Sequence, residues 1–341
     1  MKDKIYDTEF SLEEGIPTVR VYYNNSFPAI PLLSAAIKFF RYLNACRIGI
    51  KMINEKFGKP DIAHIHVLAR TFFAAYYYKF FFNVPYIITE QWSGYLPENG
   101  SYKGFLKKML TRLAVRNASM VTTVSESLKN AMQSHGLKNE YSVVPNVVDL
   151  NMFYPAPEKI TGGKYFLLTV ADLDDKVKNI SGTIRGIKKL SHARNDFEYH
   201  IIGDGIDRRA LENLAAENNL LNKFVFFHGA KNSSEVSDMM RKADLFLLFS
   251  NYDNMPCVMT EALASGVPVI GSDIHGMKEH IREGLGVLVP PGNETALFNA
   301  IQTAILNLKS FDKNCLRQYA KDNFSYETAG EKFSEIYRKI I

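Results

Sequence analysis

Residues 250–270 read SNYDNMPCVMTEALASGVPVI, and this stretch decides the fold. It begins where the apolar run ADLFLLF, residues 243–249, stops, so a buried strand hands over to an irregular loop. From Thr260 to Ser265 the residues suit a helix. Strand, loop and helix start in succession form the arrangement in which α/β proteins bind ligands, outside the carboxyl end of a parallel strand. Asp253 and Glu261 stand eight positions apart, about two helical turns, so two carboxylates can bracket one elongated polar ligand. Carboxylates accept from sugar and ribose hydroxyls, and free N–H groups of the loop suit a diphosphate. The same residues also fit a plainer reading, an acid complementing a helix dipole and a solvated glutamate.

Working outward, the second half carries strand-like runs at Tyr165–Val170, Glu198–Ile202, Phe224–Phe227, Leu245–Phe249, Pro268–Gly271 and Gly286–Val289. Their spacing leaves room for helices between them, which predicts a parallel sheet. Gly203 and Gly205, in Ile-Gly-Asp-Gly between a strand and a helix, permit a tight turn and close approach of backbone. The first half repeats the rhythm with strands at Thr18–Tyr23, Ile62–Val67, Tyr86–Glu90, Met120–Ser125 and Tyr141–Pro145. Helical periodicity covers Leu32–Phe57, Arg70–Phe82, Lys103–Arg116 and Glu126–His135, with Ser125 as N-cap of the last. Between the halves, VVDLNMFYPAPEKITGGK has two prolines and a Gly-Gly pair and reads as a link. The expected division is 1–150, 151–325 and a closing helix within 326–341 that packs back towards the N-terminal domain.

The chain has 341 residues, 46% hydrophobic and 23% charged, enough for two cores and incompatible with disorder. Cys46, Cys257 and Cys315 have no metal-ligand spacing, which excludes a disulfide scaffold or zinc finger and suits a reducing compartment. The charged opening, MKDKIYDTEFSLEE, does not read as a signal peptide, and the apolar runs Thr71–Tyr78 and Phe80–Thr89 are too short to span a bilayer. The expectation is a cytoplasmic protein, soluble or peripheral on the inner face of the membrane. Charge is divided unevenly: residues 31–120 hold 13 Lys/Arg against 4 Asp/Glu, whereas 151–341 hold 23 against 24. The basic half faces an anionic membrane surface or a phosphorylated substrate, or is simply solvated. Phe105, Met109 and Leu113 fall on one helical face among Lys103, Lys107, Lys108, Arg112 and Arg116. That strip either packs on its own sheet or meets an anionic leaflet. No nucleic-acid partner is expected.

The segment around Asp253 and Glu261 resembles the donor-binding motif of the retaining, GT-B-fold glycosyltransferases of family 4 (group 1), in which Glu, seven residues and Glu precede Ala, a small residue, Gly, Pro, Val and Ile. Asp253 takes the place of the first Glu, and Asn254 that of the usual Gly. TTVSESLKNAM, VVPNVVDLNMFYP, HIIGDGIDRRALENLA, FHGAKNSSEVSDMMRKADLFLLFS and GVLVPPGN stand in family-like order, so the resemblance runs from about Asp61 onward. It implies an α/β chain with two Rossmann-like domains whose parallel sheets face a central cleft. It also implies transfer of a sugar, with retention, from a nucleotide-sugar donor to a saccharide or lipid-linked saccharide, in cell-surface polysaccharide synthesis. No cofactor or metal is expected. A non-catalytic GT-B protein that binds a nucleotide sugar or supports a partner, and a sugar-nucleotide epimerase, are the other readings.

Carried onto this sequence, the resemblance gives Asp253 the transferred sugar and Glu261 the nucleotide ribose. It turns backbone amides of Asn254, Met255, Pro256, Cys257 and Val258 towards the sugar and diphosphate. Lys178, in VADLDDKVKNISG, fits the family's phosphate-facing lysine, while Asp172 stands where an arginine is usual. His64 and His66 of AHIHV resemble the family's His-x-His strand end near the cleft. Gln91 aligns with a histidine of relatives; it can donate a hydrogen bond but cannot exchange a proton near neutral pH. Relatives open with an apolar strand and a Gly-rich loop, whereas a strand is expected here only near Thr18.

Overall fold

The computed structural model describes residues 5–24, 31–68, 71–156 and 163–341, with side chains from residue 34 in the first long helix. Strands β1 (Tyr6–Glu13) and β2 (Ile16–Tyr23) form an antiparallel hairpin. Its two-residue turn, Glu14-Gly15, has positive φ at both positions (51° and 83°), the backbone that joins twisted strands most directly. The strand expected at Thr18–Tyr23 therefore exists, but its partner is the charged opening segment and not a parallel sheet. Alternating charges in YDTEFSLE obscured that partner, and Glu13 pairs with Arg20 across the hairpin. The hairpin rests on the long helix Pro31–Phe57, where Phe10 approaches Phe57 (ring centroids 6.0 Å apart) and Lys56.

The first parallel sheet comprises β3 (Ala63–His66), β4 (Tyr86–Glu90), β5 (Met120–Thr123) and β6 (Tyr141–Val143), in that spatial order. Both interior strands are buried along their whole length, which is why they read as unbroken apolar or small-residue runs. Helices Phe72–Phe82, Phe105–Asn117 and Glu126–Ser134 connect them. Arg70, expected to open the first of these, lies outside the described residues. Ser125 caps the last, its hydroxyl accepting from Leu128 N at 3.1 Å. Helix Phe105–Asn117 buries Thr111, Ala114 and Val115, and leaves Phe105, Met109 and Leu113 exposed. The apolar strip is thus not packed on its own sheet.

The second sheet contains β7 (Tyr165–Val170), β8 (Phe197–Ile202), β9 (Val225–Phe227), β10 (Leu245–Leu248), β11 (Val269–Ser272) and β12 (Gly286–Val289), in the order β12-β11-β10-β7-β8-β9 and all parallel. Chain order reverses between β7 and β10, so the loops leaving these two strands diverge and open a crevice. One core cluster, with Leu167, Ile184, Phe197, Tyr199, Leu247 and Ile301 fully buried, fills one side of this sheet. The link is anchored on this body through residue 153. Arg317 donates to the carbonyls of Leu150, Phe153 and Ala264, and Ser237 donates to Met152 O at 2.5 Å. Residues 157–162 of the link lie outside the described residues. Helix Tyr326–Ile340 returns to the first sheet, where Ile336 packs with Ile87, Met120 and Val144.

Candidate active site

At the switch point the single-turn helix Asp175–Lys178, following β7, meets the loop that follows β10. Asn251 ties the two together, its backbone N donating to Val177 O at 2.8 Å and its side chain to Lys176 O at 3.0 Å. Lys178 Nζ then stands 2.5 Å from Asp253 Oδ2, and both side chains are about four-fifths buried (20% and 17% exposed). The residues assigned to sugar and phosphate therefore share one ion pair, 75 positions apart in the chain. Such a pair is held by mutual attraction until a ligand offers hydroxyl donors to the carboxylate and phosphate oxygens to the ammonium.

The helix that carries Glu261 runs Cys257–Ala264, three residues longer at its start than the sequence suggests. Pro256 is its N-cap and has no N–H, so the amides able to face a diphosphate from this turn are those of Cys257 and Val258, which head the helix. The side chain of Met255 packs within the main core cluster, 2% exposed, so only its backbone can serve the loop. Glu261, about one turn in, is half-buried, and among the described residues its carboxylate has no hydrogen-bonding partner. Burial pushes its pKa up to about 7.

Asn254 looks across the cleft. Its side-chain amide donates to Gln91 O at 2.7 Å, its own carbonyl accepts from Gly276 N at 2.7 Å, and its Oδ1 is buried without a partner. Gly276 is required there, since a Cβ at that position would lie 2.1 Å from Asn254 O. Gln91 is exposed and meets the second domain through its backbone carbonyl. A second bridge is Asn146 Nδ2 to Met255 O at 2.8 Å. On the short helix His275–His280, Glu279 accepts from Glu126 N, Ser127 N and Ser127 Oγ at 2.7–2.9 Å, closing the N-terminus of a first-domain helix. His275, in left-handed backbone (φ 37°), places Nε2 3.2 Å from Glu98 Oε2.

Gly203 and Gly205 face the loop after β7. A Cβ on Gly203 would sit 1.8 Å from Ala171 O, and one on Gly205 2.7 Å from Leu173 backbone, so close packing of two loops already requires glycine. Asp172 is exposed beside them. In the first domain, His64 is held between Tyr337 (Nδ1 to OH, 2.7 Å) and Thr89 (Nε2 to Oγ1, 2.6 Å), and burial lowers its pKa to about 4. His66 ends β3, exposed and stacked on His64 at 4.3 Å. Glu90 is a residue the sequence reading passed over. Fully buried at the end of β4, it accepts from Leu68 N, Gln91 N, Trp92 N and Tyr95 OH at 2.9–3.3 Å, and desolvation raises its pKa. The carboxylate shapes the loop that presents Gln91. A charged residue closing the apolar run YIIT was the signal available.

Two Rossmann-like domains with parallel sheets across a cleft, and a conjoined carboxylate, lysine and helix start at the second sheet's switch point, define a GT-B glycosyltransferase. The chain belongs to the glycosyl transferases group 1 family, whose model matches residues 151–322, and the family 4 glycosyltransferase model matches residues 9–152. It is 28% identical over 338 residues to the uncharacterized glycosyltransferase MJ1178 of Methanocaldococcus jannaschii, covering 96% of this chain and 90% of that one. It is also 28% identical over 306 residues to TuaC of Bacillus subtilis, a glycosyltransferase provisionally assigned to teichuronic acid biosynthesis, covering 86% and 72%. Among solved structures, sucrose-phosphate synthase from Thermosynechococcus elongatus superposes with a TM-score of 0.80 at 20% identity, covering 99% and 86%. HepE of Anabaena, in complex with UDP, gives 0.73 at 18%, covering 87% and 82%.

Proposed function

We propose that this glycosyltransferase moves a hexose from a nucleotide-sugar donor to a saccharide or lipid-linked saccharide, in cell-surface polysaccharide synthesis at the inner face of the membrane. The observation that carries the reading is the Lys178–Asp253 pair at the switch point, with Glu261 about one turn into the helix that follows. Asp253 accepts from hydroxyls of the transferred sugar, Glu261 from the ribose, and Lys178 with the Cys257 and Val258 amides faces the diphosphate. In the transfer, the bond from the anomeric carbon to the diphosphate oxygen breaks, the acceptor oxygen bonds to that carbon on the same face, and its proton passes to the leaving phosphate. Lys178 stabilises the charge that develops on that phosphate. Gln91, unable to exchange a proton, is consistent with the leaving group acting as base. TuaC supports the polysaccharide setting, and the UDP complex of HepE supports a uridine donor.

The test is a screen of purified protein against common nucleotide sugars, with donor hydrolysis and thermal shift as readouts and product anomeric configuration read by proton NMR. Transfer with inversion would refute the mechanism. A second reading, donor binding without turnover, is favoured by the acid at position 172. It predicts a thermal shift with no nucleoside diphosphate released.

A further inference from the structure

Two apolar pockets lie side by side on the outer face of the first sheet's helices. One, of about 320 Å³, sits between helices Pro31–Phe57 and Phe72–Phe82, against Phe40, Leu43, Phe73 and Tyr77. The other, of about 290 Å³, lies between Phe72–Phe82 and Phe105–Asn117, against Leu68, Phe73, Leu106 and Leu110. Phe73 lines both, so the two adjoin across it and together offer a path in two compartments. Phe40 and Leu106 stand on its rim, 68% and 63% exposed. Each compartment is at the small end of ligand-site volumes, and two in series suit a narrow chain better than a compact ring.

Charge indicates what the chain carries. Arg47 lines the first compartment and Lys107 the second, and among the described residues no acidic one lines either. Lys107 Nζ lies 3.8 Å over the ring of Trp92, on the loop that Glu90 shapes. Leu68 follows β3 and Trp92 follows β4, so the Lys107 end of the groove lies where the parallel strands open to the cleft. There Gln91 meets Asn254 of the donor loop. From this placement we infer that the groove binds the hydrocarbon chain of a phosphate-linked lipid acceptor, with the phosphate at Lys107, the sugar end in the cleft and the chain running past Phe73 towards Phe40. The inference rests on the proposed glycosyltransferase reading and specifies its acceptor.

Trp92 is the chain's single tryptophan, and its contact with Lys107 makes its emission a reporter of phosphate binding without turnover. Farnesyl phosphate and dimethylallyl phosphate, each below its micelle concentration, serve as probes. Each buried methylene is worth about fourfold in affinity, so the farnesyl compound should bind at least ~100-fold tighter. The far-compartment variants Phe40→Glu and Leu43→Glu, away from Lys107, should weaken farnesyl phosphate at least ~10-fold and leave dimethylallyl phosphate unchanged, because a charge beside the distal chain costs burial that the five-carbon chain never gains. Equal affinity for the two phosphates, or far-compartment variants that bind like the parent, would overturn the inference. Phosphatidylglycerol vesicles free of prenyl phosphate separate the lipid sources. Far-compartment variants that lose vesicle binding but keep farnesyl phosphate would assign the face to the leaflet and also overturn it. Donor hydrolysis by the same proteins tests the enzyme reading separately, since a parent that turns over no donor refutes that reading while chain-length dependence stands.

Discussion

Glu261 makes the residue-scale chemistry measurable through pH. Its pKa in the folded chain is raised to about 7 by burial, while an unfolded chain holds it near 4.5. Below that lower value the side chain is protonated in both states. Between that value and about 7 the unfolded chain ionises and the folded chain does not, so stability falls across this window and the loss is complete once pH has passed about 7. Glu261→Gln should therefore raise the melting temperature of the ligand-free protein at pH 8 relative to the parent, and change it little at pH 5. A ribose hydroxyl donating to the carboxylate favours the ionised form, so nucleotide binding should release a proton and weaken below pH 7. Calorimetry in buffers of different ionisation enthalpy reads that proton. Nucleotide affinity that is flat from pH 5.5 to 8 would remove Glu261 from the ribose.

Lys178 gives a second residue-scale prediction. Lys178→Ala should lower turnover roughly 10²- to 10³-fold, the effect of losing one preorganised electrostatic donor. It also leaves Asp253 four-fifths buried beside no cation, so the variant should melt earlier than the parent. Lys178→Ala with Asp253→Asn should recover melting temperature without recovering turnover, because the neutral amide removes the unpaired charge but not the need for the cation. Unchanged turnover in Lys178→Ala would move the phosphate role to Lys176 or to backbone amides.

At the scale of elements, Glu279 acts as a latch: a second-domain carboxylate takes three hydrogen bonds at the start of first-domain helix Glu126–Ser134. Glu279→Ala should cost about 1–2 kcal/mol, comparable to a lost helix cap. It should also enlarge the radius of gyration in solution scattering and raise donor KM more than it lowers kcat. A variant with parent scattering and kinetics would reduce the contact to local capping. This latch was illegible in the sequence, because Glu279 and Glu126 come together only through tertiary packing. What was legible were elements whose burial forces a pattern: β4 and β10 are buried on both faces and read as apolar runs. The hairpin was hidden by charge, since both its strands are largely exposed. The helix carrying Glu261 was started late because Pro256 and Cys257 look like loop, although proline is well suited to a helix entry. For the site, the family motif gave Asp253, Glu261 and Lys178, whereas the Lys178–Asp253 pairing and the role of Glu90 needed coordinates.

At the scale of the whole molecule, the three helices Pro31–Phe57, Phe72–Phe82 and Phe105–Asn117 carry ten Lys/Arg and one acid, Glu55. Apolar side chains stand out among these cations: Phe105 is 84% exposed, and Met109 and Leu113 are 46% and 40% exposed. No helix among the described residues is long and apolar enough to cross a membrane, so attachment through this face would be interfacial. Each cation near an anionic leaflet contributes about 1 kcal/mol, and several together suffice for reversible recruitment. Co-sedimentation should therefore require phosphatidylglycerol or another anionic lipid and decline as salt shortens the Debye length from about 10 Å at 0.1 M. Lys103, Lys108 and Arg116 are exposed and lie outside the acceptor groove, so converting all three to Glu tests the leaflet contact alone. That variant should lose vesicle binding while retaining farnesyl phosphate affinity and donor hydrolysis in solution. No vesicle binding at low salt would show that the basic face serves only the phosphorylated acceptor, and equal binding of the parent to neutral and anionic vesicles would assign attachment to the apolar strip and refute the electrostatic account.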